Sequence, residues 1–125
     1  MFDPLRFLTF SKHVVGLTPP VDEAFYRSGV SRAYYAALLV AREEARGRLG
    51  LGLPAGGKLH HKDIIEKYLK SRSSAKLRNI GQKLQSLKSD RENADYELGI
   101  TVSQGDAQGA VLVAEDILQL ISSAP

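Results

Sequence analysis

The stretch from Asp22 to Arg48 contains no proline, and it lies between Pro19-Pro20 and a segment rich in glycine. A run of this length without a breaker reads as one long helix. Asp22 and Glu23 open it, while Arg42, Arg46 and Arg48 close it, and that charge order suits the helix dipole. One side of the helix is thin: Gly29, Ala33, Ala36, Ala37 and Val40 recur at helical spacing, so a second helix can approach closely. A neighbouring line carries Ser28, Arg32, Tyr35 and Leu39, which stacks three polar groups beside that small face. Long tyrosines next to alanines on a central helix suggest packing around a cleft, although a plain bundle helix also buries tyrosine rings and leaves their hydroxyls wet.

The remaining segments read as partners for this helix. Residues 3–15 form a first helix, with Asp3 as N-cap, Pro4 at the first helical position and Gly16 with Pro19-Pro20 as the stop. Leu5, Phe7, Leu8, Phe10, Val14 and Val15 supply its apolar surface. Five glycines and Pro54 between Gly47 and Gly57 mark an exposed, mobile loop. A short helix follows from about Leu59 to Lys70 and buries Ile64, Ile65, Tyr68 and Leu69. From Ser74 the pattern is the cleanest in the chain, with Leu77, Ile80, Leu84 and Leu87 at steps of three and four. Ser103-Gln104-Gly105-Asp106 then resembles a capping box opening a last helix to about Ser122, whose buried line is Ala107, Ala110, Val111, Ala114, Ile117, Leu118 and Ile121. No segment alternates like a half-buried strand. The expected fold is all-α: one domain over residues 1–125, an up-and-down bundle of four long helices plus one short helix.

Composition narrows the function classes. The 125 residues suffice for one core. The absence of cysteine excludes disulfides and thiolate metal sites. No apolar run reaches the roughly 18 residues that span a bilayer, and no signal-peptide pattern opens the sequence, so the expectation is a cytoplasmic protein without a membrane role. A net charge of +3 and a pI near 9.3 permit nucleic-acid binding without requiring it.

Three constellations bear on chemistry. Gly52 to Lys58 matches the start of a phosphate-binding loop, but Leu59 stands where the motif needs Ser or Thr, no strand precedes it and Pro54 interrupts it. A glycine-rich linker is the better reading. His60, His61 and Asp63, with His13, contain the residue types of a metal site. Adjacent helical histidines diverge by about 100°, however, so a polar helix start fits better, and neither metal nor cofactor is expected. His60 or His61 remains a candidate nucleotide contact. The third constellation extends the Leu77–Leu87 line into Arg91, Ala94 and Asp95. Charge on a core-facing line is costly unless paired, and Arg91 with Asp95 forms an i, i+4 pair that holds the guanidinium in one orientation. An oriented guanidinium at a cleft rim recognises phosphate, and the competing reading is a structural ion pair closing the bundle end.

Tyr26 to Ala37 and Arg91-Glu92-Asn93-Ala94-Asp95-Tyr96-Glu97, in that order and separated by a glycine-rich loop and a short helix, give the chain its likeness to a known family. Over nearly its whole length it resembles the HEPN family, the higher eukaryotes and prokaryotes nucleotide-binding domain. The resemblance implies the bundle above, homodimerisation, and either metal-independent RNase activity or a non-catalytic partnership with a minimal nucleotidyltransferase. In the nuclease members, four to six residues separate the arginine from a histidine. Here those positions hold Tyr96, Glu97 and Leu98, so the arginine is matched by Arg91 and the histidine is not. Metal-free RNA cleavage needs a group to take the proton of the attacking 2′-hydroxyl, and Tyr96 qualifies only with a strongly lowered pKa.

The resulting expectation is a HEPN-like nucleotide- or RNA-binding protein, partner of a nucleotidyltransferase in a prokaryotic two-component, toxin–antitoxin-like module. Arg32 and Arg91 would hold phosphate, Tyr35 would stack or hydrogen-bond, Asp95 would orient Arg91, and Tyr96 would line the cleft. Ser28, His60 and His61 are secondary candidates. The alternatives are a divergent RNase toxin and a structural helical adaptor, so whether the chain is an enzyme stays open.

Overall fold

A computed structural model describes residues 1–54, 57 and 60–124. The described residues form five helices and no strand: α1 (Leu5–Val15), α2 (Glu23–Arg46), α3 (His61–Leu69), α4 (Ala75–Tyr96) and α5 (Gln104–Ser123). With 24, 22 and 20 residues, α2, α4 and α5 are the long elements, whereas α1 has 11 and stands nearer to the nine of α3. Helix α2 touches each of the other four. The start of the short helix at Leu59 and the Lys58-Leu59 end of the phosphate-loop-like stretch lie outside the described residues.

The helix starts follow local chemistry. The Asp3 carboxylate accepts from the Leu5 amide at 2.9 Å and Asp22 from Ala24 at 2.8 Å, each answering a donor that the first turn leaves unpaired. Ser74 accepts from the Leu77 amide. Ser103 and Asp106 form a reciprocal capping box, with the Ser103 hydroxyl accepting from the Asp106 amide and the Asp106 carboxylate from the Ser103 amide.

Packing follows the apolar periodicities. Leu77, Ile80, Leu84 and Leu87 are buried on α4, as are Ile64, Ile65 and Tyr68 on α3 and Ala107, Ala110, Val111, Ala114, Ile117 and Ile121 on α5. On α2 the burial runs almost all round, from Tyr26 to Ala45, as a helix surrounded by partners requires. The Gly29 end of its thin face meets α1: a Cβ at Gly29 would lie 3.5 Å from a Val14 methyl, and the buried Ser11 hydroxyl donates to the Gly29 carbonyl at 2.7 Å. Tyr68 fastens α3 to α2 through a buried hydroxyl that donates to the Ala41 carbonyl at 2.5 Å.

The glycine-rich segment departs from the expectation of an exposed, mobile loop. Up to Pro54 it folds back on α2: the Leu51 amide donates to the Ala45 carbonyl, Arg46 donates to the Pro54 carbonyl at 2.8 Å, and Leu53 is buried. The glycines explain how, since Gly50 and Gly52 take φ of 55° and 82°, which side-chain-bearing residues rarely adopt. Leu49, Leu51 and Leu53, scattered among glycines, give the return its apolar reason.

Two substitutions probe this packing. Leu84→Ala should lower the unfolding free energy by about 2–5 kcal/mol in urea titration, and a loss below about 0.5 kcal/mol would show that α4 does not present this face to the core. Gly81→Ala gains about 1 kcal/mol of helix propensity, but its methyl would lie 2.7 Å from the Leu69 backbone nitrogen. Overpacking against backbone costs about 1–3 kcal/mol, so the net change should be destabilising.

Candidate functional site

The site is built where the first half of α2 meets the end of α4. The Ser31 hydroxyl donates to Asp95 Oδ2 at 3.2 Å, and Arg91 Nη2 donates to the Tyr35 hydroxyl at 2.8 Å. Ser31 and Tyr35 are one turn apart on α2, Asp95 and Arg91 one turn apart on α4, so the two helices run in opposite directions here and meet as rungs. Arg27, one turn before Ser31, adds a third rung: its guanidinium donates to the carbonyls of Ala94, Glu97 and Ile100 at 3.0, 3.2 and 2.6 Å. Glu23 holds Arg27 from the other side at 2.7 Å.

Arg91 is the centre of the arrangement. Its side chain is 13% exposed, and Nε lies 3.0 Å from Asp95 Oδ2. The N–H is not directed along that line, so among the described residues Nε is buried without a hydrogen-bond partner and the pair is a charge contact. Three rings surround the guanidinium, with centroids 5.8 Å (Tyr34), 5.3 Å (Tyr35) and 5.6 Å (Tyr96) from its central carbon. The Arg32 guanidinium lies 4.9 Å from the same Tyr35 ring and 5.1 Å from that of Phe7. The two arginines thus share Tyr35, whose π-electrons soften the repulsion between them.

His61, at the start of α3, completes the group. Its Nδ1 is 3.1 Å from the Tyr34 hydroxyl, and its ring packs against Tyr34 and Tyr35 at 5.6 and 5.5 Å. Either tautomer serves this bond: the hydroxyl donates to a bare Nδ1, or Nδ1–H donates to the hydroxyl oxygen. Burial, then the charges of Arg91 and Lys88, push the His61 pKa below its ordinary 6.5, with Glu92 opposing. Burial also raises the Tyr34 hydroxyl well above its usual range, so it stays protonated.

Of the residues singled out in the sequence, Arg32, Tyr35, Arg91, Asp95, Tyr96 and His61 meet in one cluster. His60 is exposed at the α3 N-cap and makes no side-chain cap bond. Ser28 is exposed and lines a shallow groove with Phe2, Arg6, Phe7, Phe10 and Arg32. His13 lies at the end of α1, and no group of three or more His, Cys, Asp or Glu among the described residues is placed to hold a metal ion. Ser31, Tyr34 and Arg27 were missed. The signal for Ser31 was its i, i+4 spacing to Tyr35, which mirrors that of Arg91 and Asp95. No helix among the described residues is long and apolar enough to cross a membrane.

The lowered pKa makes a stability prediction. Unfolded His61 takes a proton near pH 6.5, whereas the folded form does so only at lower pH. Stability should be full above about pH 6.5, fall as pH drops through the window between the two values, and level off once folded His61 titrates. Urea midpoints between pH 7.5 and 5 should therefore decline more in the wild type than in His61→Gln, and equal declines would refute the assignment.

Comparison of the chain with protein-family models, with curated proteins and with solved structures finds no match.

Proposed function

We propose that the chain is a HEPN-like protein that binds the phosphate of a nucleotide or RNA at the Arg91 centre and acts as the partner of a minimal nucleotidyltransferase in a prokaryotic two-component, toxin–antitoxin-like module. The observation that carries the binding role is a guanidinium oriented by Tyr35 and Asp95, with a second arginine on the shared ring. An anion there gains two guanidinium groups, one of them offset by Asp95, at little ordering cost, because Arg91 is already oriented. The nucleotidyltransferase partner rests on the sequence resemblance. An up-and-down order of α1, α2, α4 and α5 belongs to the same reading. It is supported by the α2–α4 rungs, by Lys76 at the start of α4 bonded to Ser123 at the end of α5, and by Gln104 at the start of α5 bonded to Val15 at the end of α1.

Arg91→Ala should weaken nucleotide or RNA binding at least tenfold, while the helical circular dichroism signal is retained. The slope of log affinity against log salt should flatten by about one unit with the loss of one phosphate contact. Arg91→Lys should keep part of the attraction and lose the two-point geometry. Loss of the fold in both variants with wild-type protein that binds no nucleotide would leave the ion pair as purely structural.

His61 favours a second reading, a metal-independent RNase. In the tautomer whose Nδ1–H faces Tyr34, Nε2 is bare and can take the proton of a 2′-hydroxyl as that oxygen attacks phosphorus; the P–O5′ bond breaks, the 5′-oxygen leaves with a proton from solvent water, a 2′,3′-cyclic phosphate remains, and Arg91 steadies the negative charge added on the way. RNA cleavage by the purified protein, lost in both His61→Ala and Arg91→Ala, would establish it over the binding role.

Homodimerisation is part of the proposal as well. Leu98 and Ile100 beyond α4 and Leu112 on α5 stay exposed, apolar surface that a second copy would cover. Light scattering should give twice the chain mass at micromolar concentration, and monomer across a wide concentration range would remove this element.

A further inference from the structure

The cluster around Arg91 continues beyond it in both directions. Phe2 and Phe7 have ring centroids 4.9 Å apart, Phe7 carries Arg32 at 5.1 Å, and Arg32 faces Tyr35 at 4.9 Å. Tyr35 faces Arg91 at 5.3 Å, and Arg91 faces Tyr96 at 5.6 Å. Phe2, Phe7, Arg32, Tyr35, Arg91 and Tyr96 therefore form one unbroken series of aromatic rings and guanidinium groups, drawn from the chain start, α1, α2 and α4. Both ends are open to solvent, with Phe2 55% and Tyr96 67% exposed. Arg6 joins Phe2, Phe7, Phe10, Ser28 and Arg32 around a groove of about 440 Å³ at the Phe2 end.

Large aromatics at the surface normally lose to burial, and here two of them terminate a line that carries net positive charge. Asp95 offsets one arginine only. The rings of Phe2 and Phe7 are tilted by 50° and are not stacked in parallel. Alternating ring faces and cations match one ligand chemistry, a strand of unpaired bases joined by phosphates: each base has a π-face to stack, and each phosphate needs a cation beside it. A duplex hides its bases and could use the arginines alone.

We propose that this series is a track for single-stranded nucleic acid, RNA or DNA, in which Arg91 and Arg32 take successive phosphates and Phe2 and Tyr96 stack bases at the two ends. The proposal rests on the phosphate-binding role of Arg91 and extends it from one nucleotide to a short strand. Five steps of about 5 Å suit on the order of four nucleotides, the short end of the range for single-strand binders.

The test is fluorescence anisotropy with labelled oligouridylates and oligothymidylates of one to eight nucleotides, and a blunt duplex as control. Affinity should rise steeply to about four nucleotides and then flatten, with the duplex at least tenfold weaker. Phe2→Ala and Tyr96→Ala, both at exposed positions, should each lower affinity for the eight-nucleotide strand about tenfold without shifting the melting temperature. A preference for ribose over deoxyribose identifies RNA as the strand, and equal binding identifies a general single-strand track. A mononucleotide that binds as well as the octamer, or unchanged octamer affinity in both variants, overturns the track while leaving the Arg91 site standing. Failure of every strand and mononucleotide to bind overturns both and leaves the series as a surface for a protein partner.

Discussion

Helices α4 and α5 end with carbonyl groups that their own sequences cannot answer, and α2 answers them. The last turn of each lacks a basic residue, so the unpaired carbonyls and the negative end of the dipole have no local partner. Arg27, in the second turn of α2, reaches the carbonyls of Ala94, Glu97 and Ile100. Arg48, just past its far end, reaches those of Ile121 and Ala124 at 2.5 and 2.7 Å. Charge-assisted bonds to carbonyls are among the stronger contacts available, and each arginine is itself held by a glutamate four residues before it. One helix therefore fixes where two others stop.

The Arg91 cluster follows from that fixing. With the end of α4 tied down by Arg27, the next turns of the two helices meet in register, bringing Asp95 to Ser31 and Arg91 to Tyr35. A guanidinium 13% exposed would be costly beside apolar neighbours alone. Its rings, its carboxylate and the Tyr35 hydroxyl make it tolerable while leaving Nε without a bond. That combination is expensive as architecture, because a buried donor is left without the bond that would offset its desolvation.

Sequence reading reached the helices because their signals are local. Asp22, Ser74 and Ser103 stand at starts that spacing and capping chemistry define, and the Leu77–Leu87 line states which side of α4 is buried. The same line, continued, pointed to Arg91 and Asp95. What spacing could not convey was contact between distant segments. His61 looked like a polar helix start because nothing local places it beside Tyr34 and Tyr35, 27 and 26 positions earlier. Leu53 read as loop because glycines outnumber the leucines around it, and its burial depends on a backbone return visible only in three dimensions. Tyr35 as the ring shared by two arginines needed the α2–α4 register, which neither helix encodes alone.

Gly81 bears on that last point from a distance. A side chain there would collide with the Leu69 backbone, so the last turn of α3 rests directly on α4. Helix α3 is nine residues long, about 12 Å from Leu69 back to His61. It behaves as a short rigid arm, pivoted at Leu69 on the missing side chain of Gly81, braced midway by Tyr68 on Ala41 and carrying an imidazole at its tip. The distance between that imidazole and the Arg91 guanidinium is thus set partly at a glycine some ten residues up α4, outside the charged cluster altogether. Chains that vary the residue at this pivot would change the spacing of imidazole and guanidinium while every polar group around them stays the same.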